Sequence, residues 1–165
     1  MPKAAIVMGS KSDFPVVKKA IEIFKEFGIN TEVRVLSAHR TPFEACQFAL
    51  DAEKNGIDVI IGCAGKAAHL AGVLAANCVL PIIGLPIKSS TMDGLDSLLS
   101  TVQMPSGVPV ATVAINGAEN AALLAIQIMA LKYPYLKDKL RAHKDNMRQK
   151  ILSDDKALRE ELFKE

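Results

Sequence analysis

The sequence predicts an α/β domain, a doubly wound parallel sheet with helices on both faces. Three observations predict it. Short apolar runs of strand length alternate with helix-period segments from residue 3 to residue 132, the pattern of a parallel sheet wound by crossover helices. Short polar motifs follow the first three of those runs, as functional loops do at the carboxyl ends of parallel strands. The chain has 165 residues, enough for one domain with a real core.

Residues 3–8 read as a buried strand, and 14–27 as a helix, with Val17, Ala20, Ile21, Phe24 and Phe27 at helical spacing. Pro15 suits the first turn of that helix and Gly28 its C-terminal stop. Residues 31–36 form a second strand, and Thr41-Pro42 opens a helix running to about Asn55-Gly56. A third strand covers 58–63, followed by a small-residue helix over 67–77. Pro81 to Leu85 is a fourth strand, trailed by a Ser-, Thr- and Gly-rich loop over 88–94 and a short helix near 94–101. Val110 to Ile115 is a fifth strand, and 118–132 a long helix. The core domain is thus 3–132, with a helical extension over 134–165 completing a single-domain chain.

Two helices do not suit a small monomer. Residues 118–131 are apolar nearly all round, and so is Ala67 to Ala76 apart from His69. A helix apolar on every side must be buried on every side, so a homo-oligomer is expected. In the extension, Leu136, Leu140, Met147 and Ile151 mark one stripe of an amphipathic helix that packs on its own or a neighbouring subunit.

Composition narrows the function. Half of the residues are apolar, only 5% are aromatic, and the net charge is +2. Nothing there suggests a nucleic-acid surface, and no run approaches the ~20 apolar residues that span a bilayer. Cys46, Cys63 and Cys78 are widely spaced and odd in number, with no CxxC pair or zinc spacing. They read as buried free thiols in a reducing compartment. The chain opens without a signal-peptide pattern, and a cytoplasmic protein is expected.

The three motifs are Gly9-Ser10-Lys11-Ser12-Asp13, Ser37-Ala38-His39-Arg40-Thr41-Pro42 and Ala64-Gly65-Lys66-Ala67-Ala68-His69-Leu70. With a flavodoxin-like strand order 2-1-3-4-5, which is an assumption at this point, their loops are adjacent at one sheet edge. Gly9 permits a tight turn, and helix-start N–H groups favour an anion. Ser10 and Ser12 add hydroxyl donors. Asp13 suits ribose hydroxyls better than phosphate, and the plainer alternative makes Ser12 or Asp13 an N-cap. Arg40 offers a planar donor fork for phosphate, and His39 is of the residue type that can serve as acid or base. The plainer alternative here is a surface His-Arg pair with Thr41 as cap. Gly65-Lys66 fails as a P-loop, because Ile60 and Ala67 stand where Gly and Ser or Thr are required. His69 on an apolar helix start is, taken alone, more often structural than functional, and His143 belongs to the charged surface. No carboxylate–His cluster has metal-ligand spacing, so no metal is expected.

MGSKSD (8–13), SAHRTP (37–42), AAHL (67–70), GLDSL (94–98), VQMPSGVPVATVAI (102–115) and NAALLA (120–125) together resemble the PurE family of purine biosynthesis. It comprises N5-carboxyaminoimidazole ribonucleotide mutases and phosphoribosylaminoimidazole carboxylases. The resemblance implies a flavodoxin-like fold, an octamer and a small ribonucleotide substrate. It implies that Ser10, Ser12 and Arg40 hold the 5′-phosphate, that Asp13 holds the ribose hydroxyls and that His39 is the acid–base. It further implies that Gly65, His69 and Leu70 wall the imidazole and the migrating carboxylate; Ser37, also a candidate substrate-binding residue, is expected on local grounds to position its loop. No ATP, biotin, metal or other cofactor is implied. Mutases usually read GGAAHLPG, so Lys66 and Ala71 depart from that pattern. The carboxylase branch carries a basic residue at the Lys66 position, SAHK in place of SAHR, and an Asn-containing segment in place of AAH. Arg40, Ala68 and His69 therefore favour the mutase, with direct carboxylation from CO2 as the alternative. A non-catalytic nucleotide- or flavin-binding domain on the same fold leaves the His39-Arg40 pairing unexplained.

Overall fold

The computed structural model describes residues 1–90 and 92–163. Five strands, β1 (Lys3–Met8), β2 (Asn30–Val35), β3 (Val59–Gly65), β4 (Ile82–Ile87) and β5 (Ala111–Thr112), form one sheet. Its order is β2-β1-β3-β4-β5, with every neighbouring pair parallel. Six helices accompany it: α1 (Phe14–Phe27), α2 (Pro42–Ala52), α3 (Leu70–Ala76), α4 (Leu95–Val102), α5 (Ala118–Lys132) and α6 (Tyr135–Leu162). This is the doubly wound, flavodoxin-like arrangement expected from the alternation of elements.

Side chains on a strand alternate between faces, and the two cores follow that alternation. Ala4, Ile6 and Met8 of β1, with Val59, Ile61 and Cys63 of β3, pack under α1 and α5 around Val17, Phe24 and Ile126. Ala5 and Val7 of β1, with Ile60 of β3, pack under α2 and α3 around Phe48, Ala49 and Leu74. Burial on both faces explains why β1, β3 and β4 are continuous apolar runs. The edge strand β2 is different, with Val33, Arg34 and Val35 exposed. Close approach of α3 to the sheet depends on Gly62, where a Cβ would lie 2.9 Å from the Cα of Ala71.

Several boundaries differ from the sequence expectation. Helix α2 ends at Ala52, and 53–56 form turns closed by the bond from Gly56 N to Glu53 O. Helix α3 starts at Leu70 and not at 67, because the chain is still turning there: Lys66 is left-handed (φ 56°), and His69 N donates to Ala67 O at 2.9 Å in a tight turn over 67–69. The fifth strand pairs over two residues only, before Asn116 (φ 57°) and the Gly117 N to Ala114 O bond turn the chain into α5. Of the three cysteines Cys63 is buried, whereas Cys46 and Cys78 are half-buried; all are free. Burial pushes the Cys63 thiol far up, so it stays protonated. His143, on the otherwise exposed α6, is half-buried, with its ring 5.8 Å from that of Phe27.

Helices α5 and α6 are only partly covered. Along α5, Ala121, Ala122, Ala125 and Ile126 are fully buried, while Leu131 is 79% exposed. In α6, Leu136 is fully buried and Leu140 half-buried, yet Met147 and Ile151 face outward. No helix among the described residues is long and apolar enough to cross a membrane.

Candidate active site

Because the sheet is parallel and its order begins β2-β1-β3-β4, four strands deliver their following loops to one edge in that sequence. Those loops enclose a cleft of about 620 Å³, within the range of small-molecule sites. Ser10, Ser12, Asp13, Ser37, His39, Arg40, Gly65, His69 and Leu70, all nominated from the sequence, line it.

The loop after β1 begins with a 3₁₀ turn over Lys11–Asp13. Ser10 caps that turn, its Oγ accepting from Ser12 N at 3.2 Å and from Ser12 Oγ at 2.8 Å. Asp13 stands at the N-cap position of α1, yet its side chain makes no capping bond. It is buried against the cleft wall at 8% exposure. Burial raises its carboxyl above the ordinary range, against the opposing pull of hydrogen bonds from Ser10 and Ser12 and the charge of Arg40. A buried acid without a capping role is a binding group or a cost to the fold.

The loop after β2 is a closed unit. Ser37 N donates to Thr41 Oγ1 at 2.8 Å, and Thr41 Oγ1 returns a bond to Ser37 O at 3.2 Å. Thr41 thus braces the loop and makes no side-chain cap for α2. Ser37 Oγ accepts from the backbone N of Arg40 at 3.2 Å and of His39 at 3.4 Å. Arg40 Nη2 reaches over to donate to Gly9 O at 2.8 Å, tying the β1 and β2 loops together. Its guanidinium therefore shares one corner with Ser10 and Ser12, a donor-rich and cationic lining suited to phosphate.

The loop after β3 supplies the opposite wall. Gly65 lies so near β4 that a Cβ would meet Ile87 O at 3.2 Å. His69 is the residue preceding α3, and its Nδ1 lies 2.8 Å from His39 Nε2, with the rings edge to face. One nitrogen donates in that contact and the other accepts, so the two rings hold one hydrogen between them. Thirty residues separate the pair in sequence, and the sheet order lets the loops after β2 and β3 meet across the end of β1. Leu70, 1% exposed, closes the floor as the first residue of α3.

Sequence reasoning missed Lys88 and Ser89, which also line the cleft. They directly follow β4, so the strand-end rule that found the other loops points to them too; the 88–94 loop drew notice only for its composition. Lys66, noted as a departure from pattern, lines the cleft as well.

A family model described as AIR carboxylase matches residues 3–150. The chain belongs to the AIR carboxylase family. Among curated relatives of this family member, a protein of Saccharolobus solfataricus is 58% identical over 93% of this chain and 97% of its own length. One from Pyrococcus horikoshii is 55% identical over 96% and 90%, and one from Thermotoga maritima 52% identical over 100% and 96%. Each is named N5-carboxyaminoimidazole ribonucleotide mutase. The crystal structure of Treponema denticola PurE superposes with a TM-score of 0.85 at 31% identity, covering 96% of this chain and 99% of that one. Type II dehydroquinase of Propionibacterium acnes, at 13% identity and a TM-score of 0.51, shares the fold alone.

Proposed function

We propose that this AIR carboxylase family member is an N5-carboxyaminoimidazole ribonucleotide mutase, an isomerase of purine biosynthesis. It moves the carboxylate from the exocyclic N5 to ring carbon C4. The observation that carries the chemistry is the His39–His69 contact of 2.8 Å in a cleft that Ser10, Ser12 and Arg40 also line. A pair of histidines and a corner suited to phosphate thus share one cleft. Identities of 52–58% to relatives named as mutases support the choice of reaction.

In this scheme Ser10, Ser12 and Arg40 hold the 5′-phosphate, and Asp13 accepts hydrogen bonds from the ribose hydroxyls. His39 protonates N5 as the carbamate C–N bond breaks and CO2 leaves. Gly65, His69 and Leu70 keep that CO2 beside the ring and away from water. The electron-rich C4 attacks it, forming the new C–C bond, and neutral His39 removes the C4 proton to restore aromaticity. The proton that His39 gives in the first half is balanced by the one it takes in the second, and no cofactor enters. His69, in contact with His39, orients its ring between the two transfers.

The observation favouring direct carboxylation is Lys66, a basic residue in the cleft at the position where the carboxylase branch carries one. Arg40, Ala68 and His69 weigh for the mutase. We further propose a cytoplasmic homo-octamer. The exposed Leu131 on α5 and the uncovered stripe of α6 support assembly, and a light-scattering mass near eight chains of 17.7 kDa checks it.

His39→Asn tests the acid–base role. Turnover is expected to vanish while ribonucleotide still binds; near-normal turnover would refute it.

A further inference from the structure

We propose that Lys88 recognises the carboxylate of the ribonucleotide, exchanging its present partner Asp93 for that group. The inference rests on the proposed mutase function and deepens it. The scheme above gives the cleft a cation for phosphate and a histidine for the proton, but no charge complementary to the group that moves.

The sheet order places a cation where one is needed. The phosphate corner is built from the loops of β1 and β2, and the histidine pair spans the loops of β2 and β3. Continuing in the same direction along the edge, β4 comes next. Strands are spaced about 4.8 Å apart, so the end of β4 lies about 10 Å from that of β1. Gly65 of β3 pairs with Ile87 of β4, which makes Lys66 and Lys88 the next residue on each of two adjacent strands. Both line the cleft. Positive charge thus stands at each end of it, with the histidines between. A ligand anionic at one end only has no use for that layout; a phosphorylated, carboxylated ribonucleotide matches both ends.

Lys88 is the better held of the two lysines. Its backbone N donates to Asn116 Oδ1 at 2.8 Å, from the left-handed turn that leads into α5. The carbonyl of Lys66 receives only a 3.4 Å bond from Ser100 Oγ. Lys88 Nζ already binds a carboxylate, Asp93 Oδ1, at 3.0 Å, with the two side chains 55% and 89% exposed. So open an ion pair contributes little stability, and exchanging one carboxylate for another strands no buried charge. Asp93 acts as an internal competitor for the ligand's carboxylate. Lys66 adds to the local positive potential.

Titration calorimetry with 4-carboxy-5-aminoimidazole ribonucleotide and with its decarboxylated counterpart, 5-aminoimidazole ribonucleotide, tests this directly. Lys88→Met should weaken binding of the carboxylated ligand about tenfold or more, the usual loss for a hydrogen bond between charged groups. The decarboxylated ligand should stay within about twofold, since it makes no such bond. Lys88→Arg should retain most of the affinity. Asp93→Asn keeps a residue tolerant of the left-handed backbone at φ 53°, frees the ammonium and should tighten binding of the carboxylated ligand alone. Equal losses for both ligands in Lys88→Met, or no loss for either, would overturn the assignment, as would weaker binding of the carboxylated ligand by Asp93→Asn. Failure of the wild-type protein to bind either ribonucleotide is a separate result, and it removes the mutase function itself.

Discussion

Replacing Arg40 by Met removes the guanidinium but keeps much of the side chain's length. Two effects follow, and the structure separates them. Arg40 Nη2 donates to Gly9 O at 2.8 Å, so its loss unties the β1 and β2 loops. An exposed neutral-acceptor bond of this kind is worth about 0.5–1.5 kcal/mol, and that cost falls on any ligand in the cleft. The second effect is specific to phosphate. A hydrogen bond to a charged partner contributes about 1.5–3 kcal/mol, which converts to roughly 10- to 150-fold in affinity. Titration calorimetry of wild type and Arg40→Met with the ribonucleotide and its dephosphorylated nucleoside forms a double-mutant cycle in which the shared loop effect cancels. The expected coupling is at least about 1.5 kcal/mol. A coupling below about 0.5 kcal/mol, with both ligands losing equally, would remove Arg40 from the phosphate site and reduce it to a loop brace.

Two further substitutions test the scaffold. Gly62→Val places a side chain where a Cβ already lies 2.9 Å from the backbone of Ala71; it should cost about 1–3 kcal/mol by overpacking, seen as a lower melting temperature, and an unchanged one would mean that α3 does not need its close seat on β3. At the opposite edge of the sheet, Asp58 accepts from Lys3 N at 3.0 Å, Lys132 Nζ at 2.8 Å and Tyr133 OH at 3.4 Å. Burial alone would raise its carboxyl, but these bonds and the Lys132 charge win and hold it below the ordinary range. A depressed carboxylate pKa contributes stability above its unfolded value, near 3.9, that is lost as pH falls through the folded one. Asp58→Asn should therefore be less stable than wild type in denaturant at pH 7, with the gap closing below about pH 4; a gap independent of pH would mean that the charge of Asp58 contributes nothing.

Much of this molecule is legible in its sequence because a parallel sheet converts strand order into function. Apolar runs named the strands, and the polar residues after them had to meet at one edge. What stayed hidden depended on three-dimensional detail. The late start of α3 follows from the turn at Lys66 and the His69 N to Ala67 O bond, in a stretch whose composition is helical. The His39–His69 contact needs β1 to lie between β2 and β3, which no local pattern dictates. That Asp13 is buried and makes no cap bond is likewise invisible in the sequence, where it reads equally as an N-cap. Lys88 stands in a loop whose composition carries no signal for it; only its place directly after β4 does.

The central claim is that the carboxylate travels within the cleft. The direct test supplies N5-carboxyaminoimidazole ribonucleotide labelled with carbon-13 in its carboxylate, in buffer containing unlabelled bicarbonate, at short times and beside an enzyme-free control. Label retained in the C4-carboxylated product is the predicted result, since CO2 released under His39 is recaptured before it escapes. Product carrying unlabelled carboxylate would contradict the account, shift the assignment to direct carboxylation from free CO2, and make Lys66 the first residue to replace.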